Sequence, residues 1–266
     1  MQKKIAVIND LSGYGRCSLT VAIPVLSAMG HQCCPIPTAI LSNHTEFPVY
    51  FFDDYTEKMT TYTDKWKELG LSFDAIATGF LGSEAQIGIV MEIVQKLKAE
   101  KTFVVVDPVM GDHGHAYETY TPEMCEQMKE LVCMADVVLP NVTECCILTD
   151  TPYREENWAR KELLNMAMML RLMGAKSVVI TGVREGSCYT NVVLEQGQYD
   201  AKFIRTRSSG GERPGTGDVF SSVVAGALLN GKSLPEAVSQ AAGFVKECIK
   251  VSDEEQIPHA NGVCFE

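Results

Sequence analysis

The sequence has 266 residues, of which 46% are hydrophobic, and its formal net charge is −11. A single α/β domain can reach this length, and the composition suits a globular chain with a large core. Binding to the phosphates of a nucleic acid needs a basic face on the protein. The negative net charge therefore argues against a nucleic-acid partner. The charge does not exclude a nucleotide, because a local cluster of backbone N–H groups can hold phosphates on an acidic protein.

The ten cysteines and the lack of a targeting segment predict a reduced, cytoplasmic protein. The apolar stretch over residues 5–8 is too short for the core of a signal peptide. The sequence holds no run of ~18 apolar residues, so we expect no membrane partner. No Cys-x-x-Cys spacing occurs, and we expect mostly buried thiols rather than a metal site.

Short apolar strands alternate with amphipathic helices nearly to the end of the chain. In chain order, the pattern predicts a strand over 4–8, a helix over 17–29, a strand over 32–36, a helix over 54–69, a strand over 74–78, a helix over 84–99, a strand over 103–106, a helix over 123–134, a strand over 137–139, a short helix over 142–148, a long helix over 156–173 and a strand over 177–180. A hairpin with strands over 188–194 and 199–205, a glycine-rich loop over 208–214 and helices over 218–229 and 235–250 follow.

This alternation predicts a single α/β domain over residues 1–266, with a central, mostly parallel sheet flanked by helices. The aromatic segment 47–52 is expected to add a small β flap, and its residues 50–52 fit either the flap or the core. Functional residues of such sheets lie at the carboxyl ends of the strands, so we look for a site there.

Residues 226–233 match the phosphate-binding pattern Gly-x-x-x-x-Gly-Lys-Ser. A true P-loop follows a strand and opens a helix. In this chain Gly226 lies inside a predicted helix, and Gly231 is placed as the C-terminal stop of that helix. Ser233 then begins a capping box for the next helix. We therefore expect no P-loop at this segment, and we place Lys232 in a surface turn.

A second glycine pattern, Gly13 and Gly15, follows the first predicted strand and is similar to the start of a dinucleotide-binding fingerprint. Ser18 stands where the third glycine is needed, and residues 35–38 carry no acidic side chain to hold a ribose. These two departures argue against an NAD site.

The segment 213–220 is the strongest candidate for a phosphoryl-binding site. Gly215 and Gly217 flank Thr216 at the start of a predicted helix. Because glycine lacks a Cβ, successive backbone N–H groups can converge on one point, and the helix dipole adds to that positive end. We expect a side chain at Gly217 to crowd a phosphoryl group or to strain the turn.

Asp218 lies in the first turn of that helix, so its carboxylate can face the same point. A kinase needs a carboxylate in this position to accept the proton of the substrate hydroxyl. The alternative is an ordinary helix start with a glycine turn.

Other polar residues follow predicted strand ends. Asn141 can hold phosphate oxygens or a metal-bound water, and Glu144 can hold Mg²⁺ through water. Asp107 supplies a further carboxylate, and Thr181 could touch the phosphates or the adenosine. For Asp107 and Thr181 the alternative is a simple turn residue.

These motifs, in this order, resemble the ribokinase-like superfamily and, within it, the pyridoxal kinases, over nearly the whole chain. The matching segments are Ser-Asn-His-Thr at 42–45, Thr-Gly-Phe-Leu-Gly-Ser at 78–83, Asp-Pro-Val-Met-Gly at 107–111, Asn-x-x-Glu at 141–144 and Gly-x-Gly-Asp at 215–218.

The resemblance implies that the chain phosphorylates the 5′-hydroxymethyl group of a vitamin B6 ring. It implies that Asp218 is the catalytic base and that Gly215, Thr216 and Gly217 form the anion hole. It also places a set of residues around the small-molecule substrate: Asp10, Ser12, Thr45 and Phe80. Members of the family use ATP, Mg²⁺ and often K⁺, and they are commonly homodimers.

The chain departs from the pyridoxal kinases at its N-terminus. Those kinases typically carry Ser-His where this chain has Asp10 and Leu11, and the serine meets the ring nitrogen. Segment 10–15 instead resembles the Asp-x-Ser-Gly-Gly segment of hydroxymethylpyrimidine kinases, which usually carry Cys where this chain has Asp218. An ionised carboxylate can only accept hydrogen bonds, so Asp10 would favour a protonated ring or bind a donor on the substrate such as an amine. The alternative is that Asp10 is a strand-end residue that caps the following loop.

Three hypotheses therefore stand. Segment 42–45 and Asp218 favour a vitamin B6 kinase over a hydroxymethylpyrimidine kinase of the same fold. The third hypothesis is a non-catalytic nucleotide-binding regulator, and the intact segment 215–218 weighs against it.

Overall fold

The structure is a computed structural model that describes residues 2–266. Its strands are β1 (Lys4–Ser12), β2 (Gln32–Leu41), β3 (Phe52–Asp54), β4 (Ala75–Thr78), β5 (Phe103–Val106), β6 (Gly111–Asp112), β7 (His115–Ala116), β8 (Val137–Val138), β9 (Ser177–Glu185), β10 (Cys188–Leu194) and β11 (Lys202–Arg207). Its helices are α1 (Ser18–Ala28), α2 (Thr56–Glu68), α3 (Glu84–Leu97), α4 (Pro122–Cys133), α5 (Val142–Thr149), α6 (Arg160–Met173), α7 (Thr216–Leu229) and α8 (Leu234–Glu254), followed by a 3₁₀ turn over His259–Asn261.

Within residues 2–266, a nine-stranded sheet has the order β11-β10-β9-β8-β5-β4-β1-β2-β3, and β6 pairs with β7 in a separate ribbon. Pairing is parallel from β2 through β9 and antiparallel at both edges, between β2 and β3 and along β9, β10 and β11. The predicted mostly parallel sheet is confirmed. The strand order reverses beside β1, and this reversal opens a crevice at the carboxyl ends of β1 and β4.

Both faces of the sheet are covered by helices, which explains its uninterrupted apolar strands. In β5, Val104 and Val106 belong to the core under α2–α6, whereas Val105 belongs to the core under α1, α7 and α8. This alternation follows from the two-residue repeat of a strand.

The predicted start of the long helix at residue 156 is wrong, because α6 begins at Arg160. Asn157 has a left-handed φ of 64°, which a helix does not accommodate. The backbone N–H of Ala159 donates to Glu162 Oε2 at 2.8 Å and so caps the helix from inside its first turn.

The predicted strand end at Thr181 is also wrong, because β9 continues to Glu185. On one edge β9 pairs in parallel with β8 and then through a bridge between Asn141 and Thr181, and on its other edge it pairs antiparallel with β10 from Val178 to Glu185. The register between β9 and β10 shifts where Gly182 adopts a φ of 69°, so Thr181 lies at an irregularity within β9, opposite the last parallel bridge of the other edge.

The flap forms in part as predicted. Its strand β3 begins at Phe52 and pairs with the end of β2. Tyr50, Phe51 and Phe52 are 48%, 63% and 47% exposed, which places them in the flap and not in the core. The ribbon of β6 and β7 was not predicted, because strands of two residues carry no readable periodicity.

The expectation of mostly buried thiols is wrong. Cys17, Cys145, Cys146 and Cys248 are buried, while the other cysteines are partly or fully exposed. No helix in the described part of the chain has the length and apolar character needed to cross a membrane.

The segment similar to a P-loop has the predicted context. Gly226 lies within α7, and a Cβ there would come within 2.6 Å of the Met29 sulfur. The Lys232 ammonium donates to Gln240 Oε1 at 2.6 Å in the exposed turn before α8. This segment therefore belongs to helix packing and not to phosphate binding.

Candidate active site

The structure gathers most of the predicted residues at the carboxyl edge of the sheet. Asp10 lies near the end of β1, Phe80 follows β4, and Asp107 follows β5. The start of α7 brings Asp218 to the same edge, where its charge acts on Asp107 and the charge of Asp10 acts on it. Residues far apart in the sequence thus form one acidic crevice.

In the predicted anion hole over residues 215–217, hereafter the anion loop, Gly215 is the residue that must be glycine. It is the N-cap of α7 with a φ of 80°, and a Cβ would lie 1.8 Å from the Arg16 carbonyl oxygen. Apart from its chain neighbours and the backbone of its own helix, a methyl group at Gly217 would meet no atom of residues 2–266 within 4 Å. The expected strain at Gly217 is therefore wrong, and the strained position is Gly215.

The start of α7 has backbone N–H groups available for an anion. The i→i−4 helical hydrogen bonding begins with Val219 N–H donating to the Gly215 carbonyl at 2.9 Å. N–H groups before that point lack an acceptor within the helix and carry the positive end of its dipole. The Thr216 hydroxyl turns back to the Arg213 carbonyl at 3.0 Å, which fixes the turn.

Asp218 is held by donors from β1 and α1. Its Oδ1 accepts from the Asn9 side-chain amide at 3.2 Å, and the backbone N–H of Ser18 also donates to the carboxylate. Burial raises the pKa of Asp218 to about 6, the charge of Asp10 adds to the rise, and the two donors oppose it. This pKa suits a general base at neutral pH.

Asp10 is a buried carboxylate whose two oxygens are both engaged. The Ser12 hydroxyl donates to Oδ2 at 2.8 Å, and the Ser18 hydroxyl donates to Oδ1 at 2.5 Å. Burial raises the pKa of Asp10, and these hydroxyls lower it. Ser18 has a left-handed φ of 53°, so backbone strain occurs at a residue that contacts both acids.

Asn9 and Ser18 are site residues that the sequence reasoning missed. Asn9 is 5% exposed, and its contacts reach β4 and α7. The available signal was a second polar residue beside Asp10 at the end of an apolar strand.

Phe80 and Thr45, two of the residues predicted to contact the ring, are less buried than Asp10. Phe80 is half-buried and its backbone N–H donates to Asn9 Oδ1 at 3.0 Å. Thr45 is exposed, whereas its neighbour His44 is buried with Nε2 at 2.7 Å from the Ala260 carbonyl oxygen. The structure thus anchors the loop 42–45 through His44 and leaves the Thr45 side chain on the surface.

The segment after α8 contacts several loops of the crevice. In addition to the contact of Ala260 with His44, the backbone carbonyl of Asn261 accepts from the Arg16 guanidinium at 3.2 Å. The Val263 N–H donates to the Pro214 carbonyl at 3.0 Å. These contacts tie the C-terminal segment to the loop after β1 and to the anion loop.

Glu144 and Asn141 form a capping box at the start of α5. Glu144 accepts from the backbone N–H groups of Met110 and Asn141 at 3.0 and 2.8 Å. The Asn141 amide accepts from Glu144 N–H at 2.9 Å and donates to the Gly111 carbonyl at 2.8 Å. The Asn141 side chain is engaged locally, so its contact with phosphate stays a prediction.

Asp107 and Glu144 have the chemistry expected of ligands for Mg²⁺. Burial and then the charges of Glu144 and Asp218 raise the pKa of Asp107, and burial raises the pKa of Glu144 to about 7. A divalent cation beside them would relieve that repulsion. Residues 2–266 hold no group of three or more His, Cys, Asp or Glu side chains that could ligate a metal.

Comparison with known proteins identifies the family of this chain. A profile of the family described as phosphomethylpyrimidine kinase matches residues 22–264. The chain belongs to this family. A Bacteroides thetaiotaomicron protein with a provisional phosphomethylpyrimidine kinase assignment is 39% identical, with a TM-score of 0.96, over 98% of this chain and 91% of that one. A second crystal form of that protein, 38% identical to this chain, contains pyridoxal.

Pyridoxal kinases are also among the relatives. The structure of the enzyme from Lactobacillus plantarum is 28% identical, with a TM-score of 0.92, over 100% of this chain and 94% of that one. The pyridoxine/pyridoxal/pyridoxamine kinase of Bordetella avium is 26% identical over 260 residues, which cover 92% of this chain and 84% of that protein. The predicted resemblance is confirmed: the chain is a kinase with the ribokinase-like fold.

Proposed function

We propose that this kinase transfers the γ-phosphoryl group of ATP to the 5′-hydroxymethyl group of a vitamin B6 ring. The observation that carries the proposal is Asp218, a carboxylate with a pKa raised to about 6 in the first turn of α7. It stands beside the backbone N–H groups of the anion loop and shares a crevice with Asp10 and Phe80. A base, an anion site and a wall for a ring therefore lie together.

In the proposed reaction, Asp218 accepts the proton of the substrate hydroxyl as its oxygen forms a bond to the γ-phosphorus. The bond from that phosphorus to the β,γ-bridging oxygen breaks, and ADP leaves with the electron pair. The N–H groups of Thr216 and Gly217 stabilise the charge on the transferring group.

Other residues have supporting roles in the proposal. Asp107 and Glu144 hold Mg²⁺, which when bound neutralises charge on the β- and γ-phosphates. Asn141 at the start of α5 and Thr181 within β9 are joined by a backbone bridge, and in the proposal both contact ATP. Asp10, Ser12 and Thr45 surround the vitamin ring.

A hydroxymethylpyrimidine kinase is the second candidate, and two observations favour it. The matching family profile is described as phosphomethylpyrimidine kinase, and Asp10 stands where pyridoxal kinases typically have serine. The carboxylate Asp218, in place of the cysteine usual in those enzymes, favours the B6 ring. A single domain over residues 1–266, a homodimer, a cytoplasmic location and a K⁺ requirement stay predictions.

The decisive experiment is a phosphorylation assay with ATP and Mg²⁺ on pyridoxal, pyridoxine, pyridoxamine and hydroxymethylpyrimidine. We expect the highest kcat/KM with a B6 vitamer. A preference for hydroxymethylpyrimidine would establish the second candidate, and no turnover with any of the four would support a nucleotide-binding regulator.

A further inference from the structure

Asn9 makes three hydrogen bonds at the point where β1, the turn after β4 and the start of α7 meet. Its Oδ1 accepts from the backbone N–H groups of Asp10 and Phe80, both at 3.0 Å. Its Nδ2 donates to Asp218 Oδ1 at 3.2 Å. One side chain therefore connects the residue we propose as the base with the wall of the ring pocket.

The orientation of this amide is determined by its partners. A flipped amide would point its NH₂ group at two backbone N–H donors, so the oxygen must face Asp10 and Phe80. The NH₂ group is then left toward Asp218, where it requires an acceptor. Asn9 thus favours an ionised Asp218 in one rotamer.

The site is built to keep Asn9 in place. Asn9 is 5% exposed, and a Cβ at Gly79 would come within 2.3 Å of its Nδ2. A glycine at position 79 is therefore needed for the amide to lie against the turn before Phe80. This close approach leaves the amide little room to rotate.

We propose that Asn9 is a positioning residue of phosphoryl transfer, which holds the Asp218 carboxylate at a fixed orientation relative to the ring wall at Phe80. The proposal rests on the proposed function, in which Asp218 is the base. Asn9 does not exchange a proton with the substrate, and it acts through Asp218.

Several titratable groups face Asp218 besides the neutral donors Asn9 and Ser18. Burial and then Asp10 on β1 raise the pKa of Asp218; burial is also the main cause of the raised pKa values of Asp107 and Tyr117, to which the charge of Asp218 adds. Burial, Asp218 and Asp10 raise the pKa of the Cys17 thiol to about 12, so this group stays neutral. Within this acidic surrounding, the amide of Asn9 is a donor that favours the ionised base.

The substitution Asn9→Asp isolates the donor function. It keeps an acceptor oxygen for the N–H groups of Asp10 and Phe80, and it replaces the NH₂ group by a second carboxyl beside Asp218. Two apposed carboxyls share one proton, and the protonated form can still donate to Asp218. When both are ionised they repel, and Asp218 loses its orientation.

We expect kcat of Asn9→Asp at pH 8.5 to fall at least ~10-fold, in the range seen when a general base is misplaced. The ratio of variant to wild-type kcat should then rise at least ~5-fold between pH 8.5 and pH 6, because the shared proton restores the donor. A ratio that stays constant with pH would overturn the proposal, since a structural role needs only the retained oxygen.

Two controls separate this result from general damage. Thr38→Val removes the hydroxyl that donates to the Phe80 carbonyl at 3.3 Å, so it disturbs the same turn without touching Asp218. Its pH profile should match wild type. If Asn9→Asp does not fold, as judged by circular dichroism, Asn9→Leu is used, and its acid limb of kcat/KM should lie at higher pH than in wild type. A wild-type acid limb in Asn9→Leu would also overturn the proposal.

A double variant distinguishes failure of the inference from failure of the proposed function. In the Asp218→Asn background, Asn9→Asp should change the residual rate less than ~2-fold at every pH, because the coupled partner is absent. Normal turnover in Asp218→Asn alone would refute the proposed base. An inactive Asp218→Asn together with a wild-type profile in Asn9→Asp would leave the base in place and refute the role of Asn9.

Discussion

The end of the crevice proposed to bind the vitamin ring, called the ring end, and the end proposed to bind ATP, called the nucleotide end, hold carboxylates through different donors. At the ring end, Asp10 accepts from the hydroxyls of Ser12 and Ser18, and Asp218 accepts from the Asn9 amide and from one backbone N–H, that of Ser18. At the nucleotide end, both oxygens of Glu144 accept from backbone N–H groups. Side-chain donors disappear with one substitution, whereas backbone donors remain after most substitutions.

This difference suggests a division of function. A site for ATP and Mg²⁺ serves any kinase of this fold, and backbone donors make it insensitive to changes of side chain. A site that distinguishes one ring from another benefits from side-chain donors, because single substitutions there retune charge and hydrogen bonding. The substitutions below test whether the ring end is the more sensitive end.

The largest effect is expected at Asp218. Asp218→Asn should lower kcat at least ~10²-fold, as expected for loss of a general base, with little change in ATP affinity. Steady-state kinetics and nucleotide binding to the variant provide the two measurements. A kcat near wild type would remove Asp218 from the reaction.

The anion loop lies between the two ends, and its glycines should respond in opposite ways. Gly215→Ala puts a Cβ against the Arg16 carbonyl at a φ of 80°, and it should lower the free energy of unfolding by at least ~2 kcal/mol. Gly217→Ala lies in α7 with open space and should raise it by about 0.5–1 kcal/mol.

The two glycine variants should also be distinguished by their kcat values. The methyl group in Gly217→Ala would crowd the transferring phosphoryl group, so kcat should fall although the protein is stable. Thermal unfolding and kcat measured on the same preparation check both statements. Wild-type kcat in Gly217→Ala would place the phosphoryl group elsewhere.

The substitution Asp10→Asn tests whether the ring end discriminates between substrates. A buried charge-assisted contact is worth about 1.5–3 kcal/mol, so kcat/KM should change about tenfold or more for at least one substrate. The measurement is the panel of B6 vitamers and hydroxymethylpyrimidine at several pH values. An equal change for all four substrates, with an unaltered pH profile, would show that Asp10 does not contact the ring.

Stability and activity should have opposite pH dependences at Asp218. Its pKa in the folded state, about 6, lies above the ordinary value of 3.8, so the folded state binds this proton more tightly than the unfolded chain. The resulting stability is fully present below about pH 4 and is lost as pH rises through about 6, whereas a base is active only when ionised. Asp218→Asn should therefore stabilise the protein more at pH 8 than at pH 5, as measured by chemical denaturation. Equal stabilisation at both pH values would mean that the carboxylate is not buried as described.

The smallest effect is expected outside both ends. Lys232→Ala removes an exposed contact to Gln240 in the turn before α8, and it should leave ATP affinity and kcat within about twofold of wild type. Isothermal titration with an ATP analogue is sufficient to check this. A large loss of affinity would return phosphate binding to residues 226–233.

Much of the fold could be predicted because its signals are local. The apolar run of β5 and the helix start at Gly215 are readable from neighbouring residues. The predicted element boundaries were wrong where a single backbone dihedral or a partner strand determines where the element begins or ends. Asn157 before α6 is one example, and Thr181, which lies within β9 rather than at its end, is the other. Neither the left-handed turn nor the pairing partner of β9 leaves a periodic pattern.

The candidate site shows the same difference between local sequence signals and contacts that form only on folding. The sequence by itself determined membership of the kinase family, and it predicted a phosphoryl-binding start of α7 and the carboxylates Asp107 and Glu144, because these are short segments with a recognisable order. Tertiary structure alone placed the Asn9 amide on Asp218, a residue 209 positions away, and His44 on Ala260, which is 216 positions away. Such contacts depend on how β1 and α7 pack across the sheet, and no spacing within the sequence encodes the distance between two side chains that meet only after folding.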